Sequence, residues 1–532
     1  MSSPFVIQTL QFNDSSINTE LVPVSITDPK FGILNLQVIS SPLNETTQEF
    51  VFTVDCSGSM SDGCADGRTK MQHIVHTIKN MLLYFKENSI KAFVTINAFD
   101  DKIYNIVQRT NITDKNFAGI ISSVDKIVPR TNTNIERALE YARETISHIK
   151  TEFPDHNISH ILMTDGEATT GKRDPEFLLS LVDTSVTNMF IGFGIQHDTT
   201  LLNRLGSAPK SGYYFIDKLE NCGIVYGEIL HGILYKLLFD VTISIQNGLI
   251  YDFKNNVWVS SLFIGEIVSE SNKFYHIASQ TPTECIITFT GKNITHLTEV
   301  SFTIIGEQTD IDLTKFIYRQ RTLQHLFTVN DYLKRKNVIN DDDYKYNNNY
   351  NKNLFIIPIH VESETLKEER KHLKISLLSF ITEMKQFMTD NQLTDDAFMK
   401  NLCDDIYICY KTFETKFGAM YVGARQTSQG TQRAYTVSHT PSDDNNNNNI
   451  SQNYLTPRIP NINHTNCFNC FNCANLPTSI DDMHDDTSIL HHELSDFDEA
   501  PYLTPTSTRL IREISSNTSA ADFQQEEESQ NP

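Results

Sequence analysis

Residues 48–230 are predicted to form an α/β domain, a doubly wound and mainly parallel sheet with helices on both faces. Short apolar strands alternate through this segment with runs whose apolar residues recur at helical spacing. Asp-, Ser- and Gly-bearing turns follow directly on two of the strands. After residue 239 the pattern changes to short, β-rich runs alone, which marks where the domain ends.

The elements follow in order. Residues 50–54 make the first strand, which runs into Asp55-Cys56-Ser57-Gly58-Ser59. Residues 71–85 place Met71, Ile74, Val75, Ile78, Met81 and Leu82 on one helical face. Strands are expected at 92–99, 104–107, 161–163, 189–195 and 213–216, and helices over 135–149, 176–182 and from Thr199. The runs between residues 239 and 305 describe a small β-sandwich assigned to 231–310. Residues 32–39, within the N-terminal segment 1–47, share its character. They are expected to pair with it and make the α/β domain an insertion. Residues 311–425 read as helical, interrupted by a flexible loop over 341–352 rich in Asp, Tyr, Lys and Asn. Residues 426–532 read as a disordered acidic tail, Asn-rich at its start. From Asp481 onward it carries thirteen Asp/Glu against two Arg, about half of the net charge.

The formal charge of −22 over 532 residues argues against nucleic acid as a partner, since phosphate binding needs an excess of Lys and Arg on one face. No apolar run is long enough for a membrane span. The segment Met1-Ser2-Ser3-Pro4-Phe5 does not resemble a signal peptide. The nine cysteines are odd in number and mostly scattered, which suits a reducing compartment and sets the expectation of a cytoplasmic protein.

Three separated pieces carry chemistry: Asp55-x-Ser57-x-Ser59 after one strand, Thr133-Asn134-Ile135 at a helix start, and Thr164-Asp165-Gly166 after another strand. In a doubly wound sheet, ligands bind beyond the carboxyl ends of the strands at the topological switch point. Two carboxylates (Asp55, Asp165) and three hydroxyls (Ser57, Ser59, Thr133) form the oxygen-only set of a hard cation, Mg²⁺ or alternatively Mn²⁺ or Ca²⁺. Five such groups leave Mg²⁺ short of six ligands, so an Asp or Glu of a partner protein can complete the shell. The blander reading is that Asp55, Ser57 and Ser59 cap the next helix.

These segments resemble the metal-ion-dependent adhesion site (MIDAS) of von Willebrand factor type A domains. The resemblance implies that Ser57, Ser59 and Thr133 coordinate the metal, with Asp55 and Asp165 coordinating directly or through water. One departure is Thr131-Asn132 where the family often has Gly-Gly. Downstream, Arg319-Gln320-Arg321-Thr322 and residues 426–433 are similar to the extension that follows type A domains in some eukaryotic proteins, plant RING-finger ubiquitin ligases among them. No RING Cys/His series is present.

The expected function is therefore a non-enzymatic, metal-dependent protein-interaction module. The alternatives are a ubiquitin-pathway adaptor or ligase-related protein, and a structural component of a larger assembly or virus particle. Weaker signals remain. Residues 166–173 nearly fit a phosphate-binding loop, but Arg173 stands where Ser/Thr is required. His464, Cys467, Cys470 and Cys473 fit either a zinc site or unpaired thiols. Tyr454-Leu455-Thr456-Pro457 recurs as Tyr502-Leu503-Thr504-Pro505, as a docking or phosphorylation motif or by drift. Asp198, after His197, is expected to cap the helix at Thr199.

Overall fold

The computed structural model describes residues 5–16, 29–38, 46–64, 67–216, 222–294, 298–347, 364–433 and 502–516. It divides into two compact units. One holds residues 1–351, 419–437 and 502–532; the other holds 352–418 and 438–501.

In the first unit the chain begins with β1 (Phe5–Ser16) and β2 (Lys30–Val38), which pair antiparallel. It then enters the α/β domain: β3 (Gln48–Asp55), α1 (Lys70–Glu87), β4 (Ala92–Phe99), β5 (Ile103–Asn111), α2 (Asp114–Val124), α3 (Ile135–Glu152), β6 (Asn157–Thr164), α4 (Pro175–Leu179), β7 (Thr187–Phe193), α5 (Thr199–Gly206), β8 (Ser211–Ile216) and α6 (Cys222–Leu234). The sheet order is β5-β4-β3-β6-β7-β8, parallel throughout except for the antiparallel edge strand β5. Every residue of β3 and β7 is buried. This is why these strands read as continuous apolar runs rather than as an alternation: helices cover both faces. On one face Phe50 stacks on Phe85 of α1 with ring centroids 4.5 Å apart; elsewhere Val51 packs with Ile146 and Ile149 of α3. Strand order reverses between β3 and β6, so the crevice of the switch point opens at their carboxyl ends.

The chain then builds β9 (Lys236–Gln246), β10 (Leu249–Asp252), β11 (Val257–Val259), β12 (Ser261–Val268), β13 (Asn272–Ser279), β14 (Ile286–Asn293), β15 (Glu299–Ile305) and β16 (Glu307–Thr309). Two sheets result, β11-β10-β13-β2-β1-β16 and β12-β9-β14-β15. β2 runs antiparallel to β13, with Gly32 opposite Ile277. One core joins the two sheets: Phe12, Leu34 and Leu36 pack with Val241, Ile243, Ile287 and Phe289. Thus β1 and β2 supply two strands of the sandwich, and the α/β domain is inserted after them.

Helix α7 (Thr314–Asn347) runs through the segment expected to be a flexible loop at 341–352, of which residues 348–352 lie outside the described part. Residues 314–347 contain neither Gly nor Pro, and nothing else there breaks a helix once it has started. In the second unit α8 (Glu364–Asp390) packs on α9 (Ala397–Lys411). Leu373, Leu377, Phe380 and Met384 of α8 are buried, as are Met399, Leu402 and Cys403 of α9.

The expected tail, 426–532, needs two corrections. Helix α10 (Lys416–Thr431) continues past 426, and α11 (Pro505–Ser516) is a folded helix. Its residues Leu510, Ile511 and Ile514 are buried, and it packs on α6 and α1. Thr504 and Ser507 cap it reciprocally: Ser507 Oγ accepts from Thr504 N at 3.0 Å, and Thr504 Oγ1 accepts from Ser507 N at 3.1 Å. The helix itself is not acidic, with Arg509 and Arg512 against Glu513, and its buried apolar face holds it in place. Residues 434–501 and 517–532 lie outside the described residues, and with them Tyr454-Leu455-Thr456-Pro457, His464, Cys467, Cys470 and Cys473. Among the described residues no helix is long and apolar enough to cross a membrane.

Candidate metal centre

Asp55 is the last residue of β3, and Asp165 directly follows β6, its neighbour across the switch point. Both carboxylates are 0% exposed, Ser57 and Thr133 are buried, and Ser59 is half-buried. Ser57 Oγ lies 3.1 Å from Ser59 Oγ, and Ser59 Oγ donates to Asp165 Oδ1 at 2.7 Å. The remaining hydroxyl reaches the same place. A Cβ built on Gly166 would sit 3.6 Å from both Ser59 Oγ and Thr133 Oγ1, so the missing side chain keeps open the space between them. All five residues expected to hold metal are brought together.

Asp55 is positioned by its neighbours. Ser57 N donates to Oδ1 at 2.8 Å, and Thr164 Oγ1 donates to Oδ2 at 2.5 Å. Those bonds favour the carboxylate, yet burial outweighs them and, with the nearby Asp165 charge, pushes Asp55 up to about 7. Two carboxylates sealed from solvent at close range repel each other, and a cation between them removes that penalty. The donor set fits a hard divalent ion, being all oxygen. Among the described residues no group of three or more His, Cys, Asp or Glu offers a different metal site.

The capping alternative does not describe this fold. Helix α1 is capped by Thr69, whose Oγ1 accepts from Gln72 N at 3.2 Å while Gln72 Oε1 accepts from Thr69 N at 2.7 Å. Asp55, Ser57 and Ser59 are left to the crevice. The loop bearing Thr131-Asn132 is anchored without the expected glycines. Gly58 N donates to Thr131 O at 3.0 Å, Arg130 N to Cys56 O at 2.6 Å, and Asn134 N to Asp100 O at 2.9 Å. Thr133 is clamped from the far side, its N–H donating to Thr169 Oγ1 at 2.9 Å and its carbonyl accepting from Thr169 N at 2.9 Å.

Two participants were not assigned from sequence. Thr164 lies inside a segment already singled out, and its role needed the β3–β6 register to become visible. Lys70, at the start of α1, donates to Asp165 Oδ2 at 2.7 Å and to Asp62 Oδ2 at 3.1 Å, a cation from the chain itself in the carboxylate cradle. Nothing in the spacing of the sequence signals that reach.

The neighbouring motifs resolve as structural. Lys172 sits 3.8 Å over the Phe177 ring and its N–H donates to Glu136, so residues 166–173 form a surface loop. Asp198 Oδ1 accepts from Leu201 N at 2.9 Å as the cap of α5, and His197 Nε2 lies 2.7 Å from Tyr213 Oη.

The sequence model of the von Willebrand factor type A domain family matches residues 49–223. Comparison with curated protein sequences gives no match. Among solved structures, the chain is similar to a von Willebrand factor type A protein from Catenulispora acidiphila, at 14% identity and a TM-score of 0.42, covering 62% of this chain and 81% of that one. It is similar to the ArnB paralog VWA2 from Sulfolobus acidocaldarius at 12% identity and a TM-score of 0.45, covering 81% and 99%. A third is proximal thread matrix protein 1 from the mussel byssus with a zinc-occupied MIDAS motif, at 18% identity and a TM-score of 0.26, covering 35% and 44%. The family match and the sheet flanked by helices lead to one conclusion: residues 49–223 are a von Willebrand factor type A domain.

Proposed function

We propose that this domain holds a divalent cation, Mg²⁺ or alternatively Mn²⁺ or Ca²⁺, on Asp55, Ser57, Ser59, Thr133 and Asp165, and uses it to grip an acidic side chain of a partner protein. The observation that carries the reading is the contact of Ser59 Oγ with Asp165 Oδ1, 2.7 Å across 106 residues of chain, beside a second sealed carboxylate. When bound, the ion supplies a coordination position that an Asp or Glu of the partner fills. The chain's own work is orientation and exclusion of water. Thr164 and Ser57 N fix Asp55, Thr169 fixes Thr133, and burial strengthens the field at the cradle.

The role we propose is binding. Cys56, the thiol nearest the site, is pushed up to about 12 by burial and by the charges of Asp100 and Asp55, which leaves no thiolate near neutral pH. The cytosol is the compartment that fits its chemistry, with Cys56, Cys285, Cys403 and Cys409 as buried thiols outside any disulfide.

The test is calorimetric titration of Mg²⁺ into wild type, Asp55→Ala and Asp165→Ala, followed by capture of partners with and without chelator. Heat of binding in wild type alone, and partners released by the chelator, support the reading. Equal Mg²⁺ affinity in all three folded proteins overturns it.

A further inference from the structure

A cavity of about 440 Å³ lies away from the metal centre, among α6, the β12 and β13 strands, α7 and the end of α10. Its walls bring together the two downstream segments singled out in the sequence, for Arg319 and Arg433 both line it. Five Lys and Arg residues line it in a chain whose net charge is −22; Lys210 pairs with Asp240 and Lys254 is exposed, which leaves Lys273, Arg319 and Arg433. Arg319, 2% exposed, donates to Gln429 O at 2.7 Å, Phe274 O at 3.2 Å and Tyr502 Oη at 3.2 Å. Lys273 donates to Thr431 O at 2.6 Å and Gln432 O at 2.8 Å, and burial lowers it to about 8. The negative end of the α10 dipole thus serves both.

Arg433 stands beyond that helix end and is served by neither. Its guanidinium lies 5.6 Å from the centre of the Tyr214 ring, and its Nη1 is sealed from solvent with no hydrogen-bond partner. Burial alone lowers it to about 10, with no carboxylate opposing the shift. Among the described residues no carboxylate is within ion-pair distance of Arg319, Lys273 or Arg433. Nearby acids are engaged elsewhere: Glu266 pairs with Lys236, and Glu270 accepts from Thr506 N and Oγ1. Glu228 alone opposes Lys273. A half-buried guanidinium with one N–H sealed and bare is costly unless something anionic meets it. Its planar fork suits a two-oxygen acceptor, and the volume suits a small molecule.

We propose that this cavity binds a small organic dianion, a phosphate monoester or a dicarboxylate with an apolar body, whose oxyanion group is met by the guanidinium of Arg433 with Lys273 and Arg319 behind it. The aromatic walls, Tyr214 and Phe253, take the apolar part. This site is independent of the metal centre.

The experiment uses the full chain in chelator, so that the metal centre is silent. Phenyl phosphate, succinate and inorganic phosphate are titrated by calorimetry, with phenol as the neutral control, and melting is followed in parallel. At least one dianion binds one molecule per chain and raises the melting temperature, while phenol does neither. Arg433→Gln weakens that binding about tenfold or more, and Asp165→Ala leaves it unchanged. Arg433→Gln without ligand melts no lower than wild type, because an uncompensated, half-buried charge has been removed. Phenyl phosphate binding strongest identifies a phosphate ester; succinate binding strongest identifies a dicarboxylate. The proposal is overturned if none of the dianions binds wild type at millimolar concentration. It is equally overturned if Arg433→Gln binds like wild type, or melts lower without ligand, as a purely structural arginine would require.

Discussion

Lys70 Nζ lies 2.7 Å from Asp165 Oδ2, joining the start of α1 to a carboxylate 95 residues away that solvent does not reach. The ammonium makes the cradle self-neutralising, and an incoming divalent ion has to displace it. Lys70→Gln is therefore expected to bind Mg²⁺ about tenfold more tightly by calorimetry. In chelator the same variant should lose about 2–3 kcal/mol in urea unfolding, because Asp165 is left buried without its partner. Unchanged Mg²⁺ affinity would show that lysine and metal do not compete.

Asp55→Asn separates the cost of the site from its use. With chelator it removes a sealed negative charge facing Asp165, so the variant is expected to melt at or above wild type. With Mg²⁺ at about one hundred times its dissociation constant, wild type gains about 2.7 kcal/mol and the variant gains nothing. Melting curves in the two buffers measure both signs. A variant that is still stabilised by Mg²⁺ would remove Asp55 from the ligand set.

Stability should fall in mild acid for an identifiable reason. His160, buried between Thr53 Oγ1 at 3.1 Å and Asn188 Oδ1 at 3.2 Å, is lowered to about 4, chiefly by burial, and His231 likewise. The folded state keeps these rings neutral while the unfolded chain protonates them near 6.5. Their contribution is thus present above about 6.5 and is lost as pH drops toward 4. Urea unfolding at several pH values, for wild type and His160→Gln, isolates one ring. The wild type should lose on the order of 2–3 kcal/mol more than the variant across that window, and parallel curves would contradict the assignment.

The packing of α11 on α6 depends on two residues without side chains. A Cβ at Gly227 would lie 2.6 Å from Ile511 Cγ1 and 2.8 Å from the Ile511 backbone; at Gly223 it would meet Ser515 Oγ at 2.2 Å. Gly227→Ala is expected to lift α11 while leaving the sheet intact. Hydrogen exchange should then rise over residues 505–516 and stay slow in β3 and β6. Equal protection of α11 in the variant would mean that the helix shifts sideways without cost.

Much of this was legible in the sequence, for physical reasons that differ by residue. Asp55, Ser57, Ser59, Thr133 and Asp165 could be placed because strand ends in an alternating α/β pattern converge on one crevice. Secondary structure therefore carries most of the tertiary information there. The strand at 32–39 announced its kinship with the later β runs by composition alone. Helix α11 stayed hidden because its three apolar residues, Leu510, Ile511 and Ile514, sit in a short stretch within a tail whose overall charge is acidic, although the helix itself holds one Glu and two Arg. Its Thr504 cap and Pro505 at the first turn were available signals. Lys70 and Arg433 lie beyond such reasoning, since the reach of a long side chain depends on which surface it meets.

The pairing of β2 with β13 joins residues about 240 positions apart. During synthesis β2 therefore emerges before the inserted domain and meets β13 only after that domain has been made. The inserted domain closes its own sheet from neighbouring strands and has no need to wait. Until β13 is made the β2 edge has no partner strand, and an open edge is where a chain pairs wrongly.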